Sequence, residues 1–256
     1  MSQRNRCTIS TLLTVFLAIA ATGAYAKGDL VLPTDLQSGE SEVYFDSARL
    51  QARIKSEKPL TTLAMQHSAI GEEAIAFGFA AKSEEAKFFI IGSLYADALA
   101  HLRSGAADLA AKRLESIETE LLALRAPSSL YNYISKIRNM IEQKRYDTEV
   151  LEEFMALFQP LWEDYTRSKG DDKLILFRAG AWLVDMSLIA GAQDTELLRQ
   201  PVKAKYFTEA MKKLSAPKGV VEAFDQITQI TEKQQIVDTD AKEVLKLVKQ
   251  IQTILA

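Results

Sequence analysis

Residues 150–165 read VLEEFMALFQPLWEDY. Val150, Leu151, Phe154, Leu157, Phe158, Leu161, Trp162 and Tyr165 recur three and four residues apart, and a period of 3.6 gathers them into one apolar stripe. The same spacing returns near the end of the chain in Val244, Leu247, Val248, Ile251, Ile254 and Leu255. Asp147-Thr148-Glu149 and Asp238-Thr239-Asp240 precede these stretches, each offering a capping oxygen followed by acid in the positive first turn. No alternating run of strand length with β-branched enrichment occurs, so no sheet is expected. The spacing predicts helices at 43–56, 60–81, 84–104, 106–124, 128–145, 148–168, 172–191, 194–214, 218–232 and 239–255. Pro160 and Pro201 fall inside two of them, where a missing N–H kinks or splits a helix. Gly105, Gly170, Gly191 and Gly219 mark helix ends or turns.

The helices carry recurring landmarks. Gly92-x-Leu94-x-x-Asp97 returns as Gly180-x-Trp182-x-x-Asp185, and Leu124-x-Ala126-Pro127 returns as Leu214-x-Ala216-Pro217. Apolar residues follow each proline at matching steps, Tyr131, Ile134, Ile137 and Met140 against Val221, Phe224, Ile227 and Ile230. The Asp-Thr pairs at 147 and 238 close the series. Four landmarks in one order argue for an internal duplication, with units at 83–170 and 171–256 behind a helix pair at 43–82. The expected fold is therefore all-α: antiparallel helical hairpins stacked as a right-handed helical-repeat array or bundle. Asp97 to Pro127, rich in alanine at Ala106, Ala107, Ala110 and Ala111, resembles a tetratricopeptide-like hairpin. Its Trp, Gly, Ala and Pro positions do not follow the 34-residue spacing of that repeat.

At 256 residues, 48% apolar and 25% charged, the chain has the composition of a globular protein with a sizeable core. A net charge of −3 gives no basic footprint for nucleic acid or an anionic membrane, and neither is expected as a primary partner. Arg4 and Arg6, the apolar stretch Ile9 to Ala21 and Ala24-Tyr25-Ala26 form the pattern of a signal peptide cleaved before Lys27. That apolar run is short for a bilayer span and no later one is longer, so no membrane span is expected after cleavage. Residues 27–42, with Pro33 and Gly39, read as a flexible arm, and 43–256 as one helical domain. The expected location is periplasmic. Cys7, the one cysteine, would leave with the signal, which removes disulfides, thiolate ligands and a cysteine nucleophile. Cleavage would leave 29 basic against 34 acidic residues, a net charge of −5.

No phosphate-cradling loop, His-Glu-x-x-His or Gly-x-Ser-x-Gly occurs. No cofactor is expected. Of the two histidines, His101 stands four residues after Asp97 on one helix face, and His67 stands near Glu72 and Glu73. Asp97, His101 and Asp185 are the candidate polar handle for a ligand or metal, which would need at least three convergent ligands. The ordinary role of Asp97 and Asp185 is a paired contact fixing helix packing, and a two-carboxylate hydrolase would need them roughly 5 to 10 Å apart. Tyr131, Tyr133, Trp162 and Trp182 are candidate partner contacts, with core packing the commoner role of such stripes. Tyr133, off the stripe of Tyr131, Ile134 and Ile137, is the best placed for exposure. The functional expectation is an exported, non-enzymatic interaction or scaffold module for a protein or peptide, with a carrier of a small apolar ligand or metal as the alternative. The signal reading makes a direct prediction: intact mass and N-terminal sequencing of protein recovered from the native cell should give a chain starting at Lys27.

Overall fold

The computed structural model describes residues 46–67 and 83–255, which form eleven α-helices and, among the described residues, no strand. In chain order these are α1 (Ser47–Ala52), α2 (Leu60–His67), α3 (Glu84–Arg103), α4 (Ala107–Ala123), α5 (Ser128–Glu142), α6 (Thr148–Lys169), α7 (Asp171–Ala192), α8 (Thr195–Leu198), α9 (Pro201–Lys213), α10 (Lys218–Thr231) and α11 (Asp238–Leu255). The predicted signal, the arm at 27–42 and the stretches 43–45 and 68–82 lie outside the described residues.

α3 and α7 differ from the rest because they are apolar on every side. A helix with no polar stripe must be enclosed, and residues 88–102 of α3 and 173–191 of α7 are all buried. α7 is long and apolar enough to cross a membrane, which corrects the expectation that no later segment reaches that length. Its apolar stretch is instead fully buried inside the protein.

The two core helices lie side by side and parallel. Near their starts the Lys173 ammonium meets Glu85 at 2.7 Å. In the middle, a Cβ on Gly92 would collide with the carbonyl of Phe177, and one on Gly180 with the carbonyl of Phe89. Further along, the Gln51 amide donates at 2.9 Å both to the Ala96 carbonyl and to Asp185. Position thus rises with position along both helices. The absence of a side chain at residues 92 and 180 lets the two backbones touch.

Running α7 parallel to α3 requires an odd number of antiparallel helices between them, and α4, α5 and α6 supply it. α3 packs on α4 and also on α6, while α7 packs on α6, α9 and α11. α1 and α2 lie across both core helices. α6 is fixed to them by a polar ladder: Tyr95 donates to Gln159 at 3.1 Å, Gln159 donates to Glu163 at 3.2 Å, and Arg178 clamps Glu163 through Nε at 2.9 Å and a terminal nitrogen at 2.8 Å.

Local signals place the ends. Asp147 caps α6 by accepting from the Val150 N–H at 2.8 Å. At α11 the role passes to Asp240, which accepts from the Val237 N–H at 3.1 Å, while Asp238 is already helical. Leu124-x-Ala126-Pro127 and Leu214-x-Ala216-Pro217 are the same turn. Arg125 (φ 51) and Ser215 (φ 53) adopt the left-handed conformation, and Ala126 and Ala216 donate back five residues to Leu121 and Met211. Pro127 and Pro217 then stand at the N-caps of the next helices. Pro201 splits the helix expected at 194–214 into α8 and α9, whereas Pro160 is carried inside α6. The buried seam of α6 is Leu151, Met155, Phe158, Gln159, Trp162 and Thr166, which leaves out part of the apolar stripe of the sequence, so Leu157 and Leu161 face outward.

Replacing a helical glycine by alanine ordinarily gains about 1 kcal/mol. Gly92→Ala and Gly180→Ala are each expected to lose about 2 kcal/mol or more in urea unfolding, by similar amounts, because the new methyl meets backbone that cannot yield.

Candidate functional site

Burying α3 and α7 also buries the carboxylate that each carries five residues after its glycine. Asp97 and Asp185 are fully enclosed. A charged group in such a place must be paired or neutralised. Asp97 accepts from Nε of Arg113 on α4, which is itself buried. His101, one turn on, has Nε2 3.6 Å from Asp97 Oδ1, and neither ring nitrogen has a hydrogen-bond partner. Burial holds the imidazole below its ordinary pKa, opposed by the Asp97 charge and reinforced by Arg113. His101 is therefore a neutral, enclosed side chain.

Asp185 is met chiefly by neutral donors. Ser47 Oγ donates to one carboxylate oxygen at 2.8 Å and Gln51 Nε2 to the other at 2.9 Å, both from α1. Burial pushes the Asp185 carboxyl up to about 7, with Gln51, Ser47 and the Lys203 charge opposing and Asp46 reinforcing. Lys203 on α9, itself buried, is pushed down to about 8 by burial, with Asp185 opposing and Arg53 reinforcing. Beside this group, a cavity of about 300 Å³ opens between the end of α1 and the α8–α9 corner.

The carboxylates thus occupy separate sites with separate partners, as helix-fixing contacts do. Among the described residues, no three His, Cys, Asp or Glu side chains gather as a metal would require. Glu72 and Glu73, weighed as neighbours of His67, lie outside the described residues.

The aromatic candidates need correction. Trp162 and Trp182 are fully enclosed. Trp162 packs among Phe88, Phe158, Tyr165 and Phe177, and Trp182 against Phe207 and Phe224. Neither reaches the surface. Tyr133 is not a free surface group either: its ring stacks on Phe158 at 13°, and its hydroxyl donates to the Phe154 carbonyl at 2.6 Å. Tyr131 is half-buried in the first turn of α5.

Exposed apolar surface appears instead on α6. Ala156, Leu157, Pro160 and Leu161 share its outer face, Leu157 59% and Leu161 47% exposed. Pro160 has no N–H, so the Ala156 carbonyl lacks its ordinary helical donor on this same face. The sequence puts these leucines on one stripe with Phe158 and Trp162, and a stripe of eight apolar residues does not say which edge is covered. Sequence reasoning passed over Gln51, Arg53 and Lys203. Only Lys203 carried a signal, since it stands 90 residues after Arg113 as Ser215 does after Arg125.

No family model matches the chain, and neither a curated protein nor a solved structure does.

The Asp185 environment sets a pH dependence. A folded-state pKa raised above the ordinary aspartate value means the folded chain holds a proton that the unfolded chain has lost. The contribution is complete below about 4 and disappears as pH rises through about 7. Thermal melts of the parent should lose stability across this window relative to Asp185→Asn, in which an amide keeps the neutral shape.

Proposed function

We propose that the protein is an exported, non-enzymatic helical module that binds a protein or peptide partner through the outer face of α6. The observation that carries this reading is the patch of Ala156, Leu157, Pro160 and Leu161, where two large apolar side chains one turn apart flank a carbonyl without its helical donor. An apolar helix of the partner would cover the leucines, and a polar side chain of that helix would donate to the Ala156 carbonyl. Exposed Glu153, Asp164 and Arg167 give the patch a charged rim.

We read the helices as a duplicated unit. Supporting this are the reciprocal approach of Gly92 and Gly180, the matching turns at Arg125 and Ser215, and the placement of Arg113 on α4 and Lys203 on α9, 90 residues apart, near Asp97 and Asp185. Between an open tetratricopeptide-like array and a bundle, the contacts favour the bundle: α3 packs on α6 as well as α4, and α7 on α11 as well as α9. The periplasmic location rests on the N-terminal pattern of the sequence.

Brief crosslinking and co-purification from native cells tests the main reading. A dominant partner recovered with the parent should fall about tenfold or more with Leu157→Glu or Leu161→Glu, the loss of ~1.4 kcal/mol or more of binding, while the helical circular dichroism is unchanged. Equal recovery with both variants would refute the α6 face.

A further inference from the structure

The cavity between α1 and the α8–α9 corner has an unusual distribution of charge. Four cations line it, Arg53, Lys55, Arg199 and Lys203, against two carboxylates, Asp194 and Glu196. Both carboxylates are already engaged. Asp194 accepts from the backbone N–H of Lys55 at 2.8 Å and of Leu197 at 3.0 Å, which ties the α1–α2 connection to α8. Glu196 meets Lys55 at 3.0 Å. Arg53 and Arg199 are exposed at the mouth, and no ion pair joins either to a carboxylate among the described residues. Lys203 lines the cavity as its buried cation, feeling the charges of Asp185 and Arg53.

Two guanidinium groups over a buried ammonium suit an oxyanion, since guanidinium presents paired donors to a carboxylate or phosphate. Leu50, Leu197 and Val202 supply an apolar wall for a short carbon body. A volume of about 300 Å³ lies at the small end of ligand pockets. We propose that this cavity is a binding site for a small organic anion, its carboxylate or phosphate group held by Arg53 and Arg199 over Lys203. The site is independent of the α6 face, so the two stand or fall separately.

Calorimetric titration of the purified full chain with inorganic phosphate and with succinate, at low ionic strength, tests the proposal. Saturable binding of either probe is expected, weakening about tenfold with Arg53→Ala or Arg199→Ala and less with Arg199→Lys. Both arginines are exposed, and unchanged melting without ligand shows that the variants fold. Binding of phosphate alone assigns a phosphoryl ligand, and of succinate alone a carboxylate. Absence of binding by both probes, or binding that both alanine variants retain in full, overturns the proposal.

Discussion

The contact of α3 with α7 at Gly92 and Gly180 governs the rest of the fold. Each glycine sits against the carbonyl of a phenylalanine on the other helix, three residues before the partner glycine. Backbones this close bring the flanking side chains of both helices into a single layer. They must then be enclosed, because neither helix has a polar side to turn to water. The remaining helices are amphipathic and provide that enclosure, with α6 held in place by the Tyr95, Gln159, Glu163 and Arg178 ladder.

Enclosure sets the electrostatics. The two buried aspartates stand at corresponding points of the parallel helices, and the chain handles them differently. Asp97 keeps a guanidinium partner within hydrogen-bonding distance, whereas Asp185 is met by a hydroxyl and an amide, with the Lys203 charge adding to them. A carboxyl raised to about 7 and an ammonium lowered to about 8 are the consequence. Arg113 closes directly on Asp97, and Lys203 lines a cavity whose walls carry further positive charge.

Helices were legible where period, cap and breaker agreed. The turn at Ala126-Pro127 and its counterpart at Ala216-Pro217, and the break at Pro201, fall where local chemistry places them. Gly92 and Gly180 were visible as landmarks but not as a contact, because a glycine inside a helix signals small size without saying what approaches it. Periodicity alone did not distinguish Trp162, which is enclosed, from Leu157 on the same stripe, which is exposed, since tertiary neighbours decide which edge is covered. Tyr133 was misplaced for the same reason: α6 supplies Phe154 and Phe158 to a residue lying off its own helix's main stripe. Asp238 matched Asp147 in sequence, yet Asp240 does the capping. The cavity was not legible because its walls come from segments nearly 150 residues apart, Arg53 and Lys55 on one side and Arg199 and Lys203 on the other.

The parallel register of α3 and α7 can be read from one spin-label distance. Labels at Glu84→Cys and Asp171→Cys, in a chain with Cys7→Ser, mark the starts of the two helices at exposed positions. Packed helix axes lie about 8 to 10 Å apart, so a parallel pair gives a short distance, about 20 Å or less with the label arms included. A distance of roughly 30 Å or more, the length of a 20-residue helix, would place the two starts at opposite ends and contradict the glycine contact on which the fold depends.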